Sequence, residues 1–169
     1  DQLFPGMVDI HRGRFEDGDR LFRLYLRTGT PRLRIQAAHW LAISLRMQGR
    51  WNESVEAGDA LLAAAAPRPE GDQLKLLGQL ARALGLLGSA RPEEAARLFE
   101  SSGQLYAQFS ESRRARAEAW ALTHAGTARA AAGDTVALEA LIDRVQTVGA
   151  RSNYARDQRL HHYLRALLL

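Results

Sequence analysis

The residue types that most often carry catalysis are few in this chain and widely spaced. There is no cysteine to act as a thiol nucleophile, and no Gly-x-Ser-x-Gly turn that would expose a nucleophilic serine. The single lysine, Lys75, does not follow a glycine-rich phosphate-binding loop. Glu93 and Glu94 come directly after Pro92, where carboxylates stabilise the positive end of a helix. We therefore predict a protein that is not an enzyme.

The five histidines do not have the spacing of a metal site. His161 and His162 are adjacent, so on a helix they would point about 100 degrees apart, whereas two metal ligands on one helix are typically four residues apart. The remaining histidines are isolated in sequence: His11, His39 and His124. We predict neither a metal nor a cofactor.

The charged residues are dominated by arginine. Lysine and arginine together number 23, and the formal net charge is +4. Arginine suits bidentate contacts to carboxylate or phosphate, but a GC-rich genome would favour the same residue. The clusters are Arg12, Arg14, Arg20, Arg23, Arg27, Arg32 and Arg34, and then Arg113, Arg114 and Arg116. Because acids interleave in the first cluster, we interpret both clusters as solvated helix faces, and nucleic-acid binding is not favoured.

A short sequence motif recurs at the turns between consecutive predicted helices. Its glycines are Gly13, Gly49, Gly88 and Gly133, which are 36, 39 and 45 residues apart. An aromatic residue stands two positions after the first two glycines, and the third turn is padded before Pro92. Repetition at such a period is typical of stacked helical hairpins.

Apolar residues recur at helical spacing on both sides of each turn. Thr30 and Pro31 form a helix start, and Asn153 is placed to cap a last helix. The predicted hairpins are 1–29, 30–67, 69–110 and 111–150, and the final helix is 153–169. The predicted fold is all-α, a right-handed α-α superhelix (solenoid) in a single repeat domain over 1–169. We expect the chain to be part of a longer protein, because it starts without methionine.

Small residues flank the turns in a pattern that resembles the tetratricopeptide-repeat family. Seven positions before the glycines stand Gly6, Ala42, Ala81 and Gly126, and about five after them stand Gly18, Ser54, Ala95 and Leu138. Leu138 departs from the family pattern, and the periods exceed the usual value of about 34. Longer, irregular repeats of this kind are similar to those of bacterial regulatory proteins.

The resemblance implies that the first helix of each hairpin lines a concave groove. The groove residues would then be His39, Ile43, Arg46, Lys75, Gln79, Arg82, Trp120, His124 and Thr127. Their cations and amides suit an extended peptide of acidic or carboxylate character. Trp120 also lies on an apolar stripe, which favours a place in the core.

The last predicted helix carries an apolar row without a following partner. Its members are Leu160, Tyr163, Leu164, Leu167 and Leu168. An uncovered row of this kind marks an interface or an aggregation site. We expect either a homodimer through this helix or a helix that packs back on the fourth hairpin.

These features lead to a non-catalytic protein-interaction scaffold that binds a peptide, a helix or a neighbouring domain. The alternative is a sensory module of a bacterial regulator that binds a small ligand or a signalling peptide. No apolar stretch approaches the length of about 20 residues that a membrane helix needs. Together with the lack of cysteine, this favours the cytoplasm.

Overall fold

The computed structural model describes residues 2–65, 71–106 and 109–169, and within these ranges every regular element is helical. The prediction of an all-α fold is confirmed at this level. The α-helices are α1 (Phe4–His11), α2 (Phe15–Thr28), α3 (Pro31–Met47), α4 (Trp51–Ala65), α5 (Gly71–Gly88), α6 (Pro92–Ser101), α7 (Glu111–Ala131), α8 (Thr135–Gly149) and α9 (Leu160–Ala166). Two short 3₁₀ turns accompany them, at Ser102–Tyr106 and Asp157–Arg159.

The chain divides into two compact units, Asp1–Ser89 (unit 1) and Ala90–Leu169 (unit 2). Helix α5 belongs to unit 1 and α6 to unit 2, so the predicted third hairpin crosses the division. Its pairing, the single repeat domain and the continuous superhelix stay predictions.

Three of the four turn glycines adopt the backbone conformation that only glycine takes without strain. Gly13, Gly49 and Gly133 have φ angles of 76°, 72° and 74°. In each turn the amide that follows the glycine donates to the carbonyl five residues before it, at 2.9 Å. This bond is the one that closes a helix in the Schellman motif. The predicted turns at these three positions are confirmed.

The prediction of a third turn at Gly88 is wrong. Gly88 is the last residue of α5, and Ala90 takes the left-handed conformation with a φ of 58°. Gly88 is needed for packing, because a Cβ atom there would lie 2.3 Å from the Trp51 ring. The aromatic side chain that follows the second turn therefore covers the end of α5.

Unit 1 has an antiparallel order that its close contacts show directly. A Cβ at Gly58 of α4 would lie 2.9 Å from the Arg82 backbone nitrogen of α5, and a Cβ at Gly85 would lie 2.8 Å from Val55. As the numbers rise on α5 they fall on α4, so the two helices are antiparallel. The buried core beside them includes Phe22, Leu41, Leu45, Ala57 and Ala81.

The small residues around the first two turns lie where paired helices cross. A Cβ at Gly18 would be 3.0 Å from the Gly6 carbonyl oxygen. At the equivalent crossing, the Ser54 hydroxyl donates to the Ala42 carbonyl at 2.9 Å. The small residues predicted on both sides of the turns are all buried, namely Gly6, Gly18, Ala42, Ser54, Ala81, Ala95 and Gly126.

Replacing Ala42 or Ala81 with phenylalanine is expected to lower the free energy of unfolding by about 1–3 kcal/mol or more, because an overpacked crossing forces the backbone apart. Arg32→Ala is the control, since this exposed residue of α3 should change stability by less than about 0.5 kcal/mol. Arg34 is a poorer control, because its side chain donates to the Gly29 carbonyl at 2.8 Å. Urea denaturation that gives equal losses for Ala42→Phe and Arg32→Ala would contradict the predicted crossing.

The last helix of unit 2 is shorter than the predicted 153–169. Asn153 does not cap it; its backbone N–H donates to Ser112 Oγ at 3.2 Å. The chain instead crosses the end of α8, where a Cβ at Gly149 would lie 2.5 Å from the Asp157 carbonyl oxygen. Helix α9 begins only at Leu160 and packs back against α7 and α8. This arrangement is the second of the two that we expected for the final helix.

Candidate functional site

Six of the nine predicted groove residues lie on two neighbouring helices of unit 1. His39, Ile43 and Arg46 are on α3, and Lys75, Gln79 and Arg82 are on α5. The two helices pack against each other. Ser54 of α4 donates a hydrogen bond to Ala42 of α3, while Leu61 clusters with Ala38, so α3 is also antiparallel to α4 and runs in the same direction as α5. We call these six residues the α3–α5 face. The structure thus places these six residues on two neighbouring helices; that α3 and α5 are the first helices of successive repeat hairpins stays a prediction.

His39 is half-buried and incompletely hydrogen-bonded. Its Nδ1 is shielded from water and has no hydrogen-bond partner within the described residues. The ring meets Trp40 edge to face, with 5.9 Å between centroids, and Trp40 meets His11 on α1 in the same manner at 6.5 Å. Burial, and then the charge of Arg46, lower the pKa of His39. The ring is therefore neutral near pH 7 and has an unused nitrogen.

Arg46 is a half-buried cation without a counter-charge. No carboxylate in the described ranges forms an ion pair with it. Burial lowers its pKa, yet a guanidinium stays protonated in proteins. A partly desolvated cation of this kind gains free energy when a ligand supplies an anionic acceptor.

On α5, one of the polar side chains has a partner and another does not. Arg82 Nε lies 3.0 Å from Asp59 Oδ1, an ion-pair distance, although its N–H is not aligned for a hydrogen bond. Gln79 Oε1 is shielded from water and accepts no hydrogen bond from the part of the chain that is described. The α3–α5 face therefore holds an unused acceptor beside unused donors.

The stability of unit 1 should depend on the protonation of His39. Its folded-state pKa lies below the 6.5 of the unfolded chain, so between these values the unfolded state binds more protons. The free energy of unfolding of unit 1 is therefore highest above pH 6.5, and it decreases as the pH falls toward the folded-state pKa. Amide hydrogen exchange of α3, measured from pH 7 to pH 5, should show this loss.

His39→Gln should remove that part of the pH dependence, because glutamine does not titrate in this range. His11→Gln is the matched control, since the His11 side chain is exposed. Equal pH profiles for His39→Gln and the wild type would contradict the prediction.

The other three groove residues lie on α7 in unit 2. Trp120 keeps 39% of its surface exposed, so it is not a core residue, and its Nε1 donates to Asp157 Oδ1 at 3.1 Å. The His124 ring stacks on Phe99 with 5.3 Å between centroids. Thr127 donates to the Thr123 carbonyl at 3.0 Å. Of the three, Trp120 is the one with a large accessible aromatic surface.

The predicted apolar row of the last helix is only partly accessible. Leu164 is fully buried, and a Cβ at Gly126 would lie 2.7 Å from its side chain. Leu160 is half-buried, whereas Tyr163, Leu167 and Leu168 are exposed. Leu164 is therefore unavailable to a second copy of the chain, and the homodimer stays a prediction.

Sequence reasoning missed a buried polar cluster around Asp19. Asp19 accepts hydrogen bonds from Ser44 Oγ at 2.5 Å, Gln48 Nε2 at 3.1 Å and Arg50 Nη1 at 3.2 Å. Arg50 also donates to both carboxylate oxygens of Glu53, at 2.7 and 2.6 Å. All of these groups have partners within the cluster, so we assign it a structural role that holds α2 against α3 and α4.

Two open depressions lie at the first two turns of unit 1. They measure about 400 and 340 Å³, and the arginine after each turn glycine lines one of them. Arg14 pairs with Asp9 and Arg50 with Glu53, so both cations are already neutralised. These depressions are weaker candidates than the α3–α5 face.

Within the described ranges no three His, Asp or Glu side chains come together as metal ligands. Nor does any described helix combine the length and the apolar character that a membrane crossing requires. Comparisons of the chain with protein-family models, with curated proteins and with solved structures found no match.

Proposed function

We propose that the chain is a non-catalytic interaction scaffold whose α3–α5 face binds a protein segment that carries an acidic side chain. One observation carries the proposal. His39 Nδ1, Gln79 Oε1 and the Arg46 guanidinium lie on this face without a partner in the described part of the chain.

Such groups are uncommon in a folded protein. More than about nine in ten buried polar groups have a hydrogen-bond partner, and leaving one without a partner costs about 1–3 kcal/mol. Several on one face indicate that an external partner completes them. A peptide supplies both the acceptor and the donor that are missing, because its carboxylate accepts from Arg46 and its backbone N–H donates to Gln79.

Both unused atoms are shielded from water, so binding at this face requires their side chains to rotate. Rotamer changes of this kind are common when interfaces form. Ile43 is half-buried between His39 and Arg46 on α3 and gives the segment an apolar contact. The resemblance to tetratricopeptide repeats supports the same location, since that family binds peptides on its first helices.

The test is a selection of peptides from a random library on the whole chain. We expect the selected peptides to be enriched in aspartate and glutamate. Arg46→Gln should weaken their binding at least about tenfold, the loss of one charge-assisted hydrogen bond of about 1.4 kcal/mol. Arg32→Gln is the control, because Arg32 is an exposed arginine of the same helix. Selected peptides without acidic residues, or equal binding by the two variants, would contradict the proposal.

A further inference from the structure

Unit 2 contains a second cationic surface, organised around one buried carboxylate. Asp157 is fully buried and accepts hydrogen bonds from Ser152 Oγ at 2.7 Å and Trp120 Nε1 at 3.1 Å. Arg116 Nε lies 3.9 Å from Asp157 Oδ2, and Arg156 Nε lies 3.9 Å from Asp157 Oδ1. Asp157 thus has its own donors, and the two guanidiniums lie outside hydrogen-bond range.

Both guanidiniums are held in place by aromatic rings. Arg116 lies 4.0 Å over the Tyr154 ring, and Arg156 lies 4.7 Å over the Trp120 ring. Stacking leaves the N–H groups at the edge of a guanidinium available while it restricts the rotamers of the side chain. The two side chains are therefore preorganised for a ligand and lose little conformational entropy when it binds.

The charges in this cluster do not balance. Two cations face one carboxylate, and neither arginine has a hydrogen bond or an ion pair to any other described residue. The cluster therefore carries a net charge of +1, which a single carboxylate neutralises. Tyr154 and Trp120 are 52% and 39% exposed, so apolar surface lies beside the free guanidinium edges.

We propose that Arg116, Arg156, Tyr154 and Trp120 form a carboxylate-binding site that takes an aspartate or glutamate side chain of a protein partner. The carboxylate accepts from the outer edges of the two guanidiniums, and the aliphatic part of the acidic side chain packs on the exposed aromatic surface. The buried Asp157 carboxylate attracts both guanidiniums electrostatically and does not contact the ligand. This site is independent of the α3–α5 face, which lies in unit 1.

The test is a nuclear magnetic resonance titration of the whole ¹⁵N-labelled chain with the peptide acetyl-Ala-Glu-Glu-Ala-amide. We expect saturable shifts of the Nε–H signals of Arg116 and Arg156 and of the Trp120 indole N–H. The same peptide with glutamine in place of glutamate should leave these signals unchanged. The wild-type titration decides the question without any variant: absent shifts, or equal shifts with the glutamine peptide, would overturn the proposal.

Two further comparisons identify the ligand class and the residues. Arg116→Lys keeps the charge but loses the planar edge, so it should weaken binding at least about fivefold, whereas Arg144→Lys, at an exposed position of α8, should not. Equal affinities of the two variants would reject Arg116 as a ligand-binding residue. Tighter binding of inorganic phosphate than of the glutamate peptide would overturn the carboxylate assignment. Peptide binding at the α3–α5 face without any response of Trp120 would reject this site and leave the proposed function intact.

Discussion

Gly58→Leu is expected to unfold unit 1 or to lower its free energy of unfolding by about 3 kcal/mol or more. A Cβ at position 58 already lies 2.9 Å from the Arg82 backbone nitrogen and 3.1 Å from its Cα. A flexible side chain could rotate away from the new atoms, but the backbone of α5 cannot. The helices must separate, and the packing of α4 on α5 is lost with the contact.

Ala60→Leu is the control for this prediction. It introduces the same side chain two residues later on α4, at an exposed position, and should change stability by less than about 0.5 kcal/mol. Amide hydrogen exchange of α4 and α5 measures both variants without the assumption that the two units unfold together. Similar protection in Gly58→Leu and Ala60→Leu would show that α4 and α5 do not cross at Gly58.

Leu164→Glu is expected to release α9 and to destabilise unit 2 by about 3 kcal/mol or more. The Leu164 side chain is fully buried against Gly126 of α7, so the variant loses apolar burial and transfers a carboxylate from water into the interior. Urea denaturation followed by Trp120 fluorescence, in a background with the other two tryptophans replaced by phenylalanine, measures the effect on unit 2.

The comparison variant is Leu168→Glu on the same segment. Leu168 is 37% exposed, so its replacement should cost less than about 1 kcal/mol. Light scattering of both variants and the wild type also tests association: a wild-type dimer that Leu168→Glu converts to a monomer would support an interface through the exposed residues of this helix. Equal unfolding free energies for the two variants would be incompatible with a buried Leu164.

The helices that carry His39 and Gln79 could be predicted from sequence, but the hydrogen-bond partners of their polar atoms could not. His39 and Gln79 fall on the predicted face because helical periodicity and the distance to a turn are local properties. Whether a polar atom finds a partner depends on side chains that are far away in sequence. Arg82 meets Asp59 across α4 and α5, whereas Arg46 meets no described carboxylate, and both are arginines on predicted groove positions.

The arginine cluster around Asp157 in unit 2 could not be predicted from the sequence either. Arg116 looked like one of several solvated arginines, and nothing in the sequence connects it to Tyr154 or Asp157. The segment between α8 and α9 brings them together, and it does so because Asp157 satisfies donors from α7 and from Ser152. A carboxylate with such partners is stable in the interior, which a one-dimensional pattern does not show.

The sequence by itself determined the helical class and the turns at Gly13, Gly49 and Gly133, because helix formation and left-handed glycine depend on a few neighbouring residues. Only the tertiary structure showed that Gly88 ends a helix and lies against the Trp51 ring, while Ala90 makes the turn. Only the tertiary structure decided that the last helix begins at Leu160, because the segment before it buries Asp157 at the end of α8. Helix propensities and caps are each worth about 1 kcal/mol, so contacts between residues distant in sequence can outweigh them.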